Sequence, residues 1–540
     1  MSAITERRFF FAVVILFTLL LFYRLGSWGV LETSEARYAE MSWEMYRTGD
    51  LIHPSFMGLR HYHKPPLTYA ITAGAYWLFG PSPFAARFFL QIALLLQIAL
   101  VYGIGRLIYA RPRQARLAAL VYLSFPILLI ASRTLTTDLY LVTFLLLGVW
   151  CWLRGERRDK SLWWTLTAYL AWSLACLTKG AGVVILPAVL LPTYYLLFRP
   201  KSWLKLIGRH VPGILIFAVV GLSWYVKLTL EDPAFLYYFL VEQTINRYAS
   251  DQWQRAQPWG FYLLTVSATA LPWFWLLLVR IRKLPWKRWH VFLFVWIVGP
   301  LLFYSFAQSK LILYVLPIYS GLALLSVPVL EGLSERVDRR LGLGLSILFG
   351  VLLMATLVIA TGPVGPLHLL WGAIAGAVLA GSALWSSGGD VGMPAGYRIL
   401  LPALLFNLLL LPISAEFLSQ NELLVNSTSP VTEFLRSGGI SDRPVYLLHR
   451  RLPSVTFDLR KPATLLYAEK IGRDTTRQDN RNWRNYYHDV SEPNTRRQLR
   501  LRWAAEQSVG IGYQSQDSLD LDLLRPFQHQ ENIGRYTIYY

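Results

Sequence analysis

The amino-acid sequence predicts a polytopic α-helical membrane protein with a small C-terminal soluble α/β domain. Its 540 residues are 54% hydrophobic and only 16% charged, whereas about 25% of the residues of an ordinary soluble protein are charged. Apolar runs near the roughly 20 residues of a membrane-spanning helix recur as far as about residue 415. Beyond that point no such run occurs in the sequence.

About thirteen apolar segments approach the length of a membrane span. They lie near 8–24, 84–108, 115–132, 139–154, 162–177, 181–198, 212–228, 260–281, 289–306, 311–329, 341–361, 366–386 and 399–415. The apolar segment 67–79 is shorter than the minimum of about 17 residues for a span. It is therefore predicted to be an interfacial helix of the first loop.

The Lys and Arg residues between the spans support this assignment. With thirteen spans, the basic loops fall on one side of the membrane, which is the cytoplasm by the positive-inside rule. These loops carry Arg111, Arg113 and Arg116; Arg154, Arg157, Arg158 and Lys160; Arg199, Lys201, Lys205 and Arg209; Arg280, Arg282, Lys283, Lys287 and Arg288; and Arg336, Arg339 and Arg340. Counting 67–79 as a span would place the next basic loops on the other side from Arg7 and Arg8.

Several polar parts of the chain then lie together on the outer side. They are the first loop 25–83, the turn 133–138, Lys179, the loop 229–258, Lys310 and everything after about 416. The predicted organisation is a transmembrane domain at 1–415 and an outer α/β domain at 416–540. In the second domain, short strands are predicted at 444–449, 454–459, 508–513 and 535–540, with a helix at 495–506.

Composition and motifs exclude several functions. The net charge of +20 comes from short basic clusters between apolar runs, which argues against nucleic-acid binding. Cys151 and Cys176 lie inside apolar runs, so the chain has no disulfide framework or CxxC metal site. No Walker loop, HExxH or GxSxG pattern occurs. A transporter of a lipid-linked sugar would suit the spans, but the sequence lacks the internal repeats typical of transporters.

The first loop contains most of the candidate catalytic and binding residues. Thr33 and Ser34 are suitable N-caps for a helix reaching about Arg47, and Glu35 in its first turn is favoured by the helix dipole. Lys64 precedes two prolines that keep the chain extended, and a cation on a stiff interfacial segment suits a phosphate head group. His61 and His63 face the same way on this segment, where they either bind a divalent metal or form local hydrogen bonds.

Three further charged residues stand at predicted span boundaries. Asp138 lies in TTDLYL, Lys179 in LTKGAG and Lys310 in SKLILY. Charged side chains at helix ends often reach water without any further role. Three of them on the face of the carboxylate-rich loop instead favour a functional site.

These motifs carry a resemblance. SEARYAEMSWEMYRTGD, LRHYHKPPLTY, TTDLYL, LTKGAG and SKLILYVLPIY, in this order, resemble the GT-C class of polyprenyl-phosphate-sugar glycosyltransferases. The nearest groups are the bacterial aminoarabinose transferases that modify lipid A and related protein-mannosyltransferase-like enzymes. The resemblance is strongest in the first loop, and it covers the C-terminal domain only by position. It implies a GT-C fold for 1–415.

The resemblance implies an inverting sugar transfer from undecaprenyl phosphate, in the bacterial inner membrane with the active site and C-terminal domain periplasmic. The acceptor would be lipid A, another glycolipid or a protein. No cofactor is required, and a divalent metal at His61 and His63 stays open. The implied catalytic residues are Glu35, Asp138 and Glu32, and the implied substrate-binding residues are Lys64, Arg37, Tyr38, His63, Lys179, Lys310 and Tyr314.

This chain departs from the family pattern at two positions. The family's Asp-Glu pair before RYAE reads Ser34-Glu35 here, and the Glu that often precedes the phosphate-holding lysine is His63. The first departure leaves open which of Glu35, Glu32 and Asp138 replaces the missing Asp. The second weakens the case for aminoarabinose as the sugar.

Overall fold

The computed structural model describes residues 3–32, 34–159, 161–250, 255–359, 366–387, 396–467, 483–514 and 521–540. Thr33 and Lys160 lie outside the described residues. The chain divides into two compact units. We call Met1–Arg24, Leu90–Arg133 and Thr137–Phe417 the helical unit, and Leu25–Phe89, Thr134–Thr136 and Leu418–Tyr540 the loop-and-sheet unit.

Most of the described residues are helical. The α-helices are α1 Ala3–Phe22, α2 Ser34–Thr48, α3 Leu67–Phe79, α4 Pro83–Ile108, α5 Pro112–Leu123, α6 Pro126–Arg133, α7 Asp138–Arg154, α8 Leu162–Lys179, α9 Ile185–Leu197, α10 Trp203–Ile216, α11 Ser223–Glu231, α12 Ala234–Tyr237, α13 Asn246–Ala249, α14 Phe261–Thr269, α15 Trp273–Arg280, α16 Arg288–Phe306, α17 Ile318–Glu331, α18 Glu335–Ile359, α19 Pro366–Ser387, α20 Tyr397–Gln420, α21 Ser429–Ser437, α22 Pro453–Leu459, α23 Pro493–Ala505 and α24 Leu521–Leu524. The strands are β1 Ser55–Phe56, β2 Leu59–Arg60, β3 Val445–Leu448, β4 Thr464–Tyr467, β5 Tyr487–Asp489, β6 Val509–Tyr513, β7 Gln530–Ile533 and β8 Tyr536–Tyr539.

Within the described ranges, five helices are long and apolar enough to cross a membrane, or up to seven if each of two bent pairs is one span. The bent pairs are α5 with α6, at 61°, and α14 with the helix from Trp273 to Lys283, at 107°. Pro126 begins α6 and Pro272 directly precedes α15. Since proline has no N–H to donate to the preceding turn, it favours a break in the helix at these places.

The predicted span at 212–228 begins too late. The structure starts this helix at Trp203, and the apolar stretch reaches Gly221. Lys205, Arg209 and His210 interrupt the apolar pattern but lie inside the helix. The long stems of lysine and arginine can follow an apolar helix surface while their charges reach water, so the helix does not end at them.

The C-terminal part of the loop-and-sheet unit forms a six-stranded sheet with the order β5-β4-β3-β6-β8-β7. Neighbours among β3, β4, β5 and β6 pair in parallel, and β8 pairs antiparallel with both β6 and β7. Tyr446 and Leu448 of β3 share a buried core with Leu499 and Trp503 of α23. The sheet is therefore held by a hydrophobic core of its own.

Strands β3, β6 and β8 lie within three of the predicted strand segments, and α23 matches the predicted helix. The fourth prediction, a strand at 454–459, is wrong because this segment is helix α22. Pro453 stands at its first position, which suits a helix start. The residues from Pro453 to Phe457 are all buried, so polar and apolar positions do not alternate with helical spacing. The segment is also too short for its hydrophobic period to distinguish a helix from a strand.

The first loop folds as a helix, a hairpin and a second helix. Helix α2 runs from Ser34 to Thr48, one residue past the predicted end, and Gly49 follows it with a φ of 73°. Strands β1 and β2 pair antiparallel around Met57 and Gly58, which have φ values of 49° and 81°. Helix α3 occupies the predicted residues 67–79.

We expect Gly58→Ala to destabilise the loop more than Gly49→Ala does. Both positions have left-handed backbone, which costs a residue with a Cβ roughly 1–2 kcal/mol. A Cβ at Gly58 would also lie 2.5 Å from the ring of Tyr486, whereas nothing lies within 4 Å of one at Gly49. Thermal unfolding of the purified variants measures the difference, and equal melting temperatures would contradict this account of the turn.

Candidate functional site

One buried ion pair anchors the start of the first loop. Arg87 Nε and Nη2 donate to Glu35 Oε1 and Oε2 at 2.8 Å and 2.9 Å. The backbone N–H groups of Leu31 and Leu135 donate to the same two oxygens at 3.0 Å and 3.1 Å. Each carboxylate oxygen therefore accepts two hydrogen bonds, and both side chains are fully buried.

The hydrogen-bond donors of Arg87 are used as completely as the acceptor positions of Glu35. Its two Nη atoms also donate to the carbonyl groups of Leu25, Trp28 and Gly29, at 3.2, 3.0 and 2.8 Å. With the two bonds to Glu35, these contacts use the five N–H donors of a guanidinium group. The group also lies 4.4 Å from the centre of the Trp28 ring. Glu35 is among the expected catalytic residues, and its two oxygens accept all four of these hydrogen bonds within the protein.

Two further carboxylates of α2 hold the hairpin. The N–H of Met57 donates to Glu40 at 3.0 Å, and the N–H of Gly58 donates to Glu44 at 2.5 Å. Both carboxyl groups are buried. Burial raises the pKa of Glu40 well above its usual value, and the neighbouring charge of Glu44 raises it further. Burial also raises the pKa of Glu44. Burial therefore disfavours the negative charge of both carboxyl groups.

Glu32, the third expected acid, contacts the segment before α22. The N–H of Ser454 donates to Glu32 Oε1 at 2.9 Å, and the hydroxyl group of Ser454 donates to the same oxygen. Burial raises the pKa of Glu32 to about 7, and the bonds from Ser454 only partly oppose this. A carboxyl group that titrates near neutral pH has the proton affinity of a general acid or base.

The expected phosphate-binding residues lie around His61. The rings of His61 and His63 are 3.7 Å apart, and Arg37 lies 5.6 Å from the ring of Tyr38, which stacks on Tyr69. Burial lowers the pKa of His61 well below its usual value, and the charges of His63, Arg37 and Arg451 lower it further. Lys64 is half-buried and follows His63 directly.

His61 and His63 offer two imidazole nitrogens to a metal ion. Stable protein metal sites use three or four ligands. Within the described ranges, no group of three or more His, Cys, Asp or Glu side chains is placed to hold a metal. The two rings alone therefore do not make a complete metal site in this part of the chain.

The helical unit brings together three of its four expected residues. Asp138, at the start of α7, forms an ion pair with Lys179 at the end of α8. The Lys179 Nζ lies 4.2 Å from the centre of the Tyr314 ring. Lys310 Nζ instead donates to the carbonyl oxygen of Gln257 at 2.8 Å. Asp138 thus contacts Lys179, and Lys179 contacts Tyr314, whereas Lys310 has a different partner.

Sequence reasoning missed two arginines of the loop-and-sheet unit. Arg87 lies in the apolar run 84–108, where a charge inside a predicted span was the available signal. Arg451 lies just beyond β3. Its place near His61 follows from the fold of the C-terminal sheet, and no local pattern marks it.

The architecture is mainly helical, and five to seven of the described helical segments are long and apolar enough to cross a membrane. Over the whole chain it matches the crystal structure of ArnT from Cupriavidus metallidurans bound to undecaprenyl phosphate, with a TM-score of 0.77, 21% identity and 98% of that chain covered. The apo structure of the same protein gives a TM-score of 0.79 at 21% identity, again covering all of this chain and 98% of that one. The two structures therefore show the fold of this chain.

Residues 63–225 match the family described as dolichyl-phosphate-mannose-protein mannosyltransferase. The chain is 32% identical over 351 residues to the undecaprenyl phosphate-alpha-4-amino-4-deoxy-L-arabinose arabinosyl transferase of Pseudomonas paraeruginosa, covering 62% of this chain and 63% of that protein. It is 31% identical over 358 residues to the enzyme of that name from Aeromonas hydrophila, covering 63% of each chain. These similarities confirm the resemblance predicted from the motifs, and they span about three fifths of these curated relatives.

We expect Arg87→Lys to destabilise the protein by about 3–5 kcal/mol, because lysine cannot replace the two-point contact and leaves Glu35 buried without its full set of donors. Glu35→Gln should act in the same direction. Arg24→Lys is the matched control, since Arg24 pairs with Glu416 while its side chain stays 34% exposed. Thermal unfolding in detergent measures all three, and an Arg87→Lys variant as stable as Arg24→Lys would contradict the anchoring role.

We also expect a pH-dependent difference between the wild type and Glu40→Gln. Because the folded-state pKa of Glu40 is raised above 4.5, folding favours its protonated form, and the wild type loses stability as pH rises from about 4.5 towards the folded pKa. Glutamine cannot ionise, so the variant should gain stability relative to the wild type across this range. The difference in melting temperature between the variant and the wild type is measured from pH 5 to 8. A difference that shifts in favour of the wild type with rising pH would contradict the prediction.

Proposed function

We propose that the chain is an inverting membrane glycosyltransferase that moves a sugar from undecaprenyl phosphate to lipid A or another glycolipid. The observation that carries this proposal is the 32% identity over 351 residues to an undecaprenyl phosphate-linked arabinosyl transferase. The order and spacing of the charged motifs agree with it. The donor, the acceptor and the surrounding membrane lipids are the proposed partners.

The proposed place is the bacterial inner membrane, with about thirteen passes in a catalytic domain at 1–415. The first loop and an α/β domain at 416–540 would be periplasmic. Each of the thirteen predicted segments contains helix in the structure, and the basic loops then share the cytoplasmic side, both of which support this topology. The hydrophobic core of the C-terminal sheet supports a separate domain after about 416.

In the proposed reaction an acceptor oxygen attacks the anomeric carbon, and the bond from that carbon to the carrier phosphate breaks. The phosphate leaves with the bonding electrons, so cations that hold it lower the barrier. We assign this task to Lys64 of the loop-and-sheet unit. Lys179, which forms an ion pair with Asp138, keeps its proposed role in substrate binding within the helical unit. A phosphate acceptor would need no base, whereas a hydroxyl acceptor would pass its proton to a carboxylate.

Glu35 is then a positioning residue, because its hydrogen bonds are fully used. Glu32, with a pKa of about 7, and Asp138 are the remaining candidates for a base. Arg37, Tyr38, His63, Lys310 and Tyr314 keep their proposed role in substrate binding. Each of these assignments is made within one unit of the structure.

A protein O-glycosyltransferase is the second candidate, because residues 63–225 match the protein mannosyltransferase family. A flippase for the lipid-linked sugar would leave the sugar-phosphate bond intact. Mass spectrometry of lipid A and of glycoproteins, from cells with and without the gene, separates the three. A sugar missing only from lipid A supports the first proposal, one missing only from proteins supports the second, and an unchanged set of products would contradict both transferase proposals.

We expect Lys64→Met to lower transfer by about ten- to a hundred-fold, because it removes a charge-assisted contact to phosphate worth roughly 1.5–3 kcal/mol. We expect Lys179→Met to lower transfer as well, because it removes a cation with a proposed role in substrate binding. Lys227→Met is the matched control, since Lys227 forms an exposed ion pair with Glu231 on α11. Turnover of a synthetic undecaprenyl-phosphate sugar, with variants matched for expression and melting temperature, measures the losses. Near-normal turnover in either variant would remove that lysine from the site.

A further inference from the structure

A cluster of cationic and imidazole groups lies beside the hairpin of the loop-and-sheet unit, and it includes Arg451 from beyond β3. The guanidinium of Arg451 lies 5.5 Å from the ring centre of Phe56 and 5.3 Å from that of Tyr487. The Phe56 ring is 5.5 Å from His61, whose ring is 3.7 Å from His63. Two aromatic rings therefore fix Arg451 next to the predicted phosphate-binding segment.

The charge of this cluster is largely uncompensated. Among the described residues, neither Arg37 nor Arg451 has an ion-pair partner within 4.0 Å. The charges of Glu40 and Glu44 act on Tyr487, which packs against Arg451, but burial raises the pKa of both carboxyl groups and so disfavours their negative charge.

His61 responds to this positive surrounding. It is buried, and the charges of Arg37 and Arg451 add to burial in lowering its pKa, so the imidazole is neutral at pH 7. A neutral ring near two cations can pack closely without adding repulsion. An anion that reached this place would meet two guanidinium groups with few opposing charges.

We propose that Arg451 and Arg37 form an anion-binding site beside His61 and His63 that holds a phosphate group of the substrate. Guanidinium groups bind phosphate through paired N–H donors, and the aromatic rings beside Arg451 limit its conformations before binding. The phosphate belongs either to the polyprenyl carrier or to a glycolipid acceptor. The inference rests on the proposed function and adds to it a binding residue from the C-terminal sheet.

The neighbouring arginine provides a matched control. Arg450 precedes Arg451 in the same turn, but its guanidinium lies 5.0 Å from the ring of Tyr513 and its side chain is exposed. Arg451→Met keeps a long side chain against Phe56 and Tyr487 while it removes the charge. Arg451→Lys keeps the charge but loses the paired donors. Arg450→Met removes one charge from the same turn without touching the cluster.

The experiment measures binding to the full-length protein in lipid nanodiscs, so it does not depend on turnover. One arm titrates undecaprenyl phosphate, and the other titrates bisphosphorylated lipid A against its dephosphorylated form. We expect Arg451→Met to lower the binding affinity for one of the two phosphate-bearing ligands by about ten- to a hundred-fold. Arg451→Lys should lose less, and Arg450→Met should bind as the wild type does. Melting temperatures identify any variant that fails to fold. If Arg451→Met does not fold, the binding affinity of Arg451→Lys tests the proposal in its place.

The arm that shows the loss identifies the source of the phosphate. Loss for undecaprenyl phosphate assigns the site to the carrier, and loss for lipid A but not for its dephosphorylated form assigns it to the acceptor. Unchanged affinity in both arms, or equal losses for Arg450→Met and Arg451→Met, would overturn the inference. If the protein never transfers sugar, the proposed function is refuted. A loss of phosphate binding in Arg451→Met would still support the anion-binding site in that case.

Discussion

The loop-and-sheet unit depends on the buried pair of Glu35 and Arg87. Taking two charges out of water is costly, and the cost is offset only when nearly every hydrogen-bonding position is used. Here Arg87 ties the carbonyl groups of Leu25, Trp28 and Gly29 to the start of α2, and Glu35 adds the N–H groups of Leu31 and Leu135. The pair thereby joins three stretches of the chain, 25–35, Arg87 and Leu135, and removing either member would leave the other buried without its ion-pair partner.

The other carboxylates of the loop also act on the backbone. Glu40 and Glu44 accept the two N–H groups of the hairpin turn, and Glu32 accepts those of Ser454. The acids of the first loop therefore hold the backbone, and two of them, Glu32 and Glu35, are also among the expected catalytic residues. Burial raises the pKa values of Glu32, Glu40 and Glu44, which disfavours negative charge on these side chains.

Local patterns predicted the helices of the first loop well, because α2 and α3 have clear starts and ends in the sequence. The same patterns could not reveal the pairing of Glu35 with Arg87, since the two residues are 52 positions apart and Arg87 lies in an apolar run. Segment 454–459 was misread because a seven-residue helix buried on every side shows no helical period. Asp138, Lys179 and Tyr314 were found from sequence, since charges at span ends are conspicuous, but only the fold gives their contact.

Each of the two units contains a carboxylate that pairs with a cation. In each, a carboxylate is committed to holding another group in place, Glu35 for Arg87 and Asp138 for Lys179. The Lys179 Nζ lies 4.2 Å from the centre of the Tyr314 ring. The transfer proposed for this chain has a phosphate leaving group, and such a reaction needs oriented cations more than a strong base. Lys179, held by Asp138, is an oriented cation of this kind, whereas Arg87 is fully used in the fold together with Glu35.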